Sequence, residues 1–437
     1  MNTCSFFLLF IFILMPALSW GEASPPCATN QQVVIKSVEI SGNAKTKTSV
    51  IERELGFNLN EKVCESQIQE RINRIKRMGL FSVVEHNITK QNQTNAADLK
   101  ITVNEKWTTI PIVKTNSGGG VSQYILGVYD PNLFGEFLEA GAQYENLGGA
   151  SSGVVWFKNP RLFDQRQGID LQYWNTKRIR IKYDQDKNDP EVLKGFLNER
   201  ERLYTDYFRE ISSDIVARFA LDYNKDNFST KILPDIVIEK NGPNPSLPPA
   251  TELLITKVGL EFGKIDGEPQ ALDGYLAGVN LGYASSLKAN NDAFFQADLS
   301  LHYYKPLSTH WQFAQRLLLG ATTTKLLQYW YYSGGLDRIR GFADNRFAGS
   351  HSLVSNTEAR YLLLEKPSVL VQGLGFVDAA AIGDEASALT KLRAASMGMG
   401  LRFILPQFYR FVLRLDYAKP ILKNDEMNWS FGVQQFF

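Results

Sequence analysis

Arg340, in the stretch Gly334-Gly335-Leu336-Asp337-Arg338-Ile339-Arg340-Gly341-Phe342, is the residue whose type and setting most directly imply chemistry. A guanidinium can grip a carboxylate through two parallel charge-assisted hydrogen bonds, and Asp378 stands downstream as an acceptor. An Arg-Gly-aromatic tip is a poor lipid contact and a poor solvent loop; it suits a loop folded back into a polar lumen. Such a bond positions a segment and transforms nothing. Covalent chemistry has weaker support. Gly149-Ala150-Ser151-Ser152-Gly153 fits the Gly-x-Ser-x-Gly pattern, but that motif needs a strand–turn–helix elbow, and here it straddles a hairpin loop and the start of a strand. His86, His302, His310 and His351 show no pairing cue, and they share no metal-ligand spacing with the cysteines. No catalytic, cofactor-binding or metal-binding residue is assigned, no cofactor is expected, and the chain is read as a non-enzyme.

The elements that must position Arg340 start behind a secretory leader. Residues 6–14 form an apolar run too short to span a bilayer, followed by Pro16 and small-residue sites such as Ala17-Leu18-Ser19. Residues 1–23 are therefore read as a cleaved signal peptide and 24–32 as a linker. The first residues carry no Lys or Arg, which leaves a retained anchor as the alternative. No later segment reaches the ~18 apolar residues of a spanning helix, so the secreted chain is either soluble or a transmembrane β-barrel. The 437 residues have a formal net charge of +1, which gives no bulk attraction to nucleic acid. Cys4 leaves with the leader, and Cys27 and Cys64 remain to pair or stay apart in an oxidising compartment.

Residues 33–105 form one small α/β unit. Val38 and Ile40 alternate with Ser37 and Glu39 in a strand that ends at Gly42-Asn43. Thr48 is placed as the cap of a helix with Ile51 and Leu55 on one face. Ile68, Ile72 and Ile75 mark a second helix stopped near Gly79. Two strands follow, from Val83-Val84 and through Leu99, Ile101 and Val103. The expected order is β-α-α-β-β, a three-stranded sheet covered by two helices.

From residue 106 to 437 the pattern has period two. Ile215, Ala217, Phe219, Leu221 and Tyr223 alternate with Val216, Arg218, Ala220 and Asp222; the segments 295–303 and 409–417 behave alike. One face suits lipid, the other a wet lumen, and many of the aromatics (12% of residues) fall at segment ends, as interfacial girdles require. About sixteen such strands fit, at ~20 residues per strand and turn. The long connections 181–199, 224–251, 329–351 and 382–392 then all fall at one end, and the short turns at the other. Fourteen strands is the alternative. The Lys/Glu-rich stretch 184–209 is read as a solvated outer hairpin.

Ile40-Ser41-Gly42-Asn43, Ile51-Glu52-Arg53-Glu54-Leu55 and Gly79-Leu80-Phe81-Ser82-Val83 give the first unit a resemblance to a POTRA domain. The Ile339-Arg340-Gly341-Phe342 tip, Gly375-Phe376-Val377-Asp378-Ala379-Ala380, Asn356-Thr357-Glu358-Ala359-Arg360 and Leu413-Arg414-Leu415-Asp416-Tyr417 resemble the BamA/TamA-like outer-membrane assembly superfamily (the bacterial surface antigen family), here with a single POTRA module. Two departures are Asn60 and Ala380, where the family often has glycine.

The resemblance implies a POTRA domain in the periplasm before a sixteen-stranded antiparallel barrel in the bacterial outer membrane. It implies that Arg340 is latched to Asp378, and that Trp429, Phe431 and Phe437 belong to a C-terminal barrel signal. The expected partners are unfolded or β-rich client proteins, outer-membrane lipid, and accessory lipoproteins or periplasmic chaperones. Clients would be captured by β-augmentation on the POTRA sheet and handled at a lateral seam of the barrel. A dedicated two-partner-type secretion pore and a passive channel are the alternatives.

Overall fold

The structure is a computed structural model describing residues 32–91, 95–118, 121–184, 186–189, 191–288, 293–335, 338–343, 345–423, 428–433 and 437. The proposed leader, Cys27, Leu336 and Asp337 lie outside the described residues. Among those described, no helix is long and apolar enough to cross a membrane.

The N-terminal unit contains β1 (Gln32–Ser41), α1 (Thr48–Leu55), β2 (Lys62–Cys64), α2 (Glu65–Arg77), β3 (Phe81–Lys90) and β4 (Ala96–Glu105). Its sheet order is β2-β1-β4-β3, with β1 parallel to β4 and the other pairs antiparallel. The expected three-stranded sheet is therefore corrected to four. Lys62–Cys64 is too short for a period-two pattern, and pairing with Gln32–Val34 alone makes it a strand. Thr48 is the first helical residue and not the cap; Lys47 holds that position in extended geometry, and the Thr48 hydroxyl accepts from Asn43 Nδ2 at 3.1 Å. Ile51, Ile68, Ile72, Ile75, Leu99 and Ile101 are buried together between helices and sheet, each stabilising by roughly 1.5–3 kcal/mol relative to exposure. Asn60 adopts φ 69°, a left-handed conformation that Asn tolerates better than most residues.

Sixteen antiparallel strands then close on themselves. The first eight are β5 (Ile110–Gly118), β6 (Val121–Leu133), β7 (Leu138–Leu147), β8 (Ala150–Asn159), β9 (Gln167–Tyr183), β10 (Val192–Ser212), β11 (Ile215–Ser229) and β12 (Thr251–Asp266). Next come β13 (Asp273–Ser286), β14 (Phe294–Pro306) and β15 (Trp311–Thr322). A small hairpin, β16 (Tyr331–Ser333) and β17 (Phe347–Gly349), lies inside the following loop. The barrel ends with β18 (His351–Lys366), β19 (Val369–Gly383), β20 (Ala394–Ile404), β21 (Val412–Pro420) and β22 (Asn428–Val433).

Alternation sorts the wall. Leu281, Leu299, Met397 and Met399 point outward and are exposed, flanked by Tyr275, Tyr303 and Trp311 toward the α/β domain and by Tyr283 and Phe295 toward the far end. This is the apolar band between aromatic girdles of a membrane barrel. Two expectations change here. Most of the stretch 184–209 is wall: β10 begins at Val192, and Arg200 and Arg202 turn inward to Asp226 and Asp222, each with Nε 2.7 Å from its carboxylate. Tyr409 precedes the strand it was assigned to and packs against the core of the α/β domain.

Candidate functional site

The site is built by the loop between β15 and β18, which folds back into the lumen. Gly334 (φ 123°) and Gly341 (φ 89°) hold left-handed geometry that other residues reach only with strain. A Cβ on Gly334 would lie 2.1 Å from the Ala343 carbonyl oxygen. Ile339 and Phe342 on either side of the Arg-Gly pair enter a buried cluster with Phe347, Val354, Ala380, Ile382 and Ala394. The Ala380 methyl thus fills part of the loop's seat.

That seat aims Arg340 at Asp378. The Arg340 backbone N–H donates to Asp378 Oδ2 at 3.1 Å, Nε donates to the same oxygen at 2.8 Å, and Nη2 donates to Oδ1 at 2.9 Å. Nη1 donates to Glu358 Oε1 at 2.6 Å and lies 3.6 Å from Asp416 Oδ1. The guanidinium carbon sits 3.4 Å from the centre of the Phe376 ring, a cation–π contact in a site shut off from water.

Period two supplies the partners. Asn356, Glu358 and Arg360 alternate on β18 and are completely buried, and β19, β20 and β21 contribute Asp378, Arg402 and Asp416. Arg360 donates to Glu358 Oε2 at 2.8 Å, and Arg402 Nη1 lies 2.8 Å from Asp416 Oδ1. Three guanidinium groups, Arg340, Arg360 and Arg402, face three carboxylates, Glu358, Asp378 and Asp416. Asn356 donates to Asp378 Oδ1 at 2.9 Å and to the Arg338 carbonyl at 2.8 Å, tying the loop backbone to the same carboxylate. Sequence reasoning paired Arg340 with Asp378 only; Glu358 and Asp416 sat in quoted motifs, but only β18–β21 register shows that they share its guanidinium.

The other singled-out residues disperse. Trp429 and Phe431 face outward on β22, and Trp429 packs on Tyr417 with ring centres 4.8 Å apart. Phe437 lies in the lumen, with the guanidinium carbons of Arg316 and Arg360 5.2 and 5.4 Å from its ring centre and Tyr304 beside it. Cys64 is disulfide-bonded, and its partner lies outside the described residues. Ser151 is on β8 with its hydroxyl 2.9 Å from the Tyr144 hydroxyl; a strand follows Gly149, and the helix of a nucleophile elbow does not.

The α/β domain docks on the barrel's near mouth. Arg161 donates to both oxygens of Glu54 at 2.7 and 2.9 Å and to Glu210 at 2.7 Å. Lys106 donates to Glu268 at 2.7 Å, Arg77 to Asp266 at 3.2 Å, and Lys45 to Asp130 at 2.8 Å. Main-chain bonds between Trp107 and the 405–411 turn add to these, at 2.7 Å to the Gln407 carbonyl and 2.8 Å from the Tyr409 N–H. Between domain and lumen lies a cavity of about 1230 Å³, onto which Ser82, Val83 and Val84 of β3 open beside Trp156, Lys158 and Trp174 of the wall. β3 is the long free edge of the sheet, while the other edge, β2, has three residues. The barrel closes where β22 meets β5 through Ser430–Asn116, Phe431–Thr115 and Gly432–Lys114. Those are three pairs among the described residues, against seventeen between β9 and β10.

Residues 132–437 match the model of the Omp85 superfamily domain, and residues 33–106 match a POTRA model, the surface antigen variable number repeat. A curated relative, the outer membrane protein assembly factor BamA of Nitratidesulfovibrio vulgaris, is 30% identical over 158 residues. That alignment covers 35% of this chain and only 19% of the relative's length. Among solved structures, BamA from Haemophilus ducreyi lacking POTRA domains 1–3 superposes with a TM-score of 0.54 at 17% identity, covering 92% of this chain and 84% of that one. CdiB from Acinetobacter baumannii gives 0.61 at 14% identity, over 92% of this chain and 74% of that one. CdiB from Escherichia coli gives 0.56 at 10% identity, over 96% and 92%. At these identities the likeness is one of fold. With the family models matching both the POTRA unit and the barrel, the chain belongs to the Omp85 superfamily, an outer-membrane β-barrel with its POTRA domain in the periplasm.

Proposed function

We propose that this protein receives unfolded, β-rich client chains in the periplasm and inserts them into, or passes them across, the outer membrane without catalysing a covalent step. The free β3 edge opening onto the lumenal cavity carries this reading. Unpaired N–H and C=O groups of an edge strand accept an extended peptide with little demand on its side chains. A strand added there would run beside the mouth of the barrel. The β22–β5 junction, where the first and last strands of the barrel meet through three pairs among the described residues, supports a second step as the place where the wall would open sideways. Arg340, Glu358 and Asp378 serve as a scaffold that latches the inward loop to the wall, and the Trp429–Phe431 row serves as the lipid-facing barrel signal. Accessory lipoproteins or periplasmic chaperones would deliver clients to the POTRA domain.

Depletion followed by outer-membrane proteomics tests the reading. Broad loss of barrel proteins supports general assembly, loss of one exported protein supports a dedicated secretion pore, and an unchanged proteome rejects both. At the level of mechanism, a disulfide formed between Thr115→Cys and Phe431→Cys should stop client handling and reduction should restore it. Full handling in the oxidised protein would rule out the seam.

A further inference from the structure

The loop bearing Arg340 is also held on the opposite side of the lumen, by a carboxylate that no motif marks. Asp226 on β11 is completely buried. Its Oδ1 accepts from Asn198 Nδ2 at 2.8 Å and Arg200 Nε at 2.7 Å. Its Oδ2 accepts from Arg200 Nη2 at 3.1 Å, the Thr251 hydroxyl at 3.3 Å and the Tyr329 hydroxyl at 2.7 Å. Tyr329 belongs to the limb of the loop that descends into the lumen. Arg200 lies over its ring at 4.6 Å and donates to the neighbouring Gln328 carbonyl at 3.0 Å. The ring itself sits 5.2 Å from Phe294 in a cluster with Leu253, Ile255 and Ala284. From β11 to β19 is six steps around the ring of sixteen (β12, β13, β14, β15, β18, β19), so Asp226 and Asp378 hold the loop from well-separated walls.

The two anchors differ in what release leaves behind. Withdrawing Arg340 takes the guanidinium from buried Asp378, while Glu358 keeps Arg360; a buried carboxylate without its counter-charge is costly. Withdrawing Tyr329 removes a neutral phenol, and Asp226 keeps its two bonds to Arg200. We propose that Asp226 is a second positioning residue: with Tyr329 it forms the releasable anchor whose state decides whether the descending limb seals the lumen, while Arg340 holds the loop's far end permanently.

The test uses the full chain in planar lipid bilayers, as wild type, Tyr329→Phe, Asp226→Asn and the double variant. Loss of one hydrogen bond to a charged acceptor should raise the frequency of lumen openings about tenfold in Tyr329→Phe. The double variant should open no more often than the more open single variant, because Tyr329→Phe removes a contact that Asp226→Asn has already weakened from its other end. The urea midpoint of Tyr329→Phe should stay far closer to wild type than that of Arg340→Ala. Tyr329→Phe keeps the ring packing and so still reports if Asp226→Asn fails to fold. Wild-type opening in Tyr329→Phe, additive effects in the double variant, or a loss of stability as large as that of Arg340→Ala would each overturn the proposal.

Discussion

Arg340 and Asp378, 38 positions apart in the chain, are joined by three hydrogen bonds, one from the main chain and two from the guanidinium, in a site from which water is excluded. The main-chain bond fixes the height of the loop tip, and the fork fixes its direction. Gly341, with its left-handed φ, turns the chain immediately after the arginine.

Arg340→Ala should therefore destabilise the folded barrel by about 3–5 kcal/mol, since it leaves Asp378 buried without its guanidinium and Glu358 with one donor fewer. Arg340→Lys should recover only part of this, because an ammonium cannot make the parallel fork. Urea unfolding followed by the mobility of unheated samples on semi-native gels measures both.

Glycine substitutions should separate strain from crowding. Gly341→Ala forces a methyl into left-handed geometry at about 1–2 kcal/mol, with Ala418 Cβ 3.2 Å away. Gly398→Ala should be worse, because its Cβ would come 2.1 Å from the Tyr417 carbonyl and 2.4 Å from the Phe376 ring under Arg340. The folded fraction recovered on refolding into detergent micelles ranks the two, and equal yields would contradict the geometry.

Arg161→Ala should release the POTRA domain from the barrel more than any exposed pair does. Glu54 is only 4% exposed and loses a bidentate partner, at about 3 kcal/mol for a buried pair. Exposed Lys47–Glu136 is the comparison, with about 0–1 kcal/mol at stake. Protease cleavage between the domains, timed against wild type, reads the difference.

Reduction should act on the POTRA domain alone. Breaking the Cys64 disulfide removes a cross-link of about 2–4 kcal/mol, so the POTRA transition should fall with dithiothreitol while the barrel's stays put. Cys64→Ser should reproduce the reduced behaviour under oxidising conditions.

Acid should loosen one outer contact. The hydrogen bond from Arg393 and its charge hold the Asp186 carboxyl below its ordinary value. A depressed carboxyl stabilises above its unfolded pKa, and the contribution is lost as pH falls through the folded value. Cross-linking between the β9–β10 tip and the 384–393 loop should therefore be constant at neutral pH and decline below about pH 4, with Asp186→Asn flat across the range.

The strand count was legible because each wall strand has one wet and one greasy face, so a single sequence carries both environments at a spacing of two. Arg340 was legible because an arginine beside a conformationally free glycine and an aromatic has few comfortable places outside a polar interior. The β9–β10 hairpin misled because its charges have no local sign of direction: Arg200 and Glu199 look alike in sequence, and only pairing with β11 shows that one faces Asp226 and the other the outside. The three-residue β2 strand and the Tyr329–Asp226 contact were illegible for a related reason. Both depend on partners roughly thirty to a hundred positions away, with no periodicity to announce them.

The balance of three cations and three anions within the cluster around Arg340 has a consequence for how such a wall enters a bilayer. A lone guanidinium carried into hydrocarbon is penalised by several kcal/mol or more. If the last quarter of the chain folds around its loop before it is surrounded by lipid, those six ionised groups travel as an electrically neutral parcel inside the sheet. The hard part of insertion is then moved from the membrane to an earlier folding step in water, where each charge can find its partner while still hydrated.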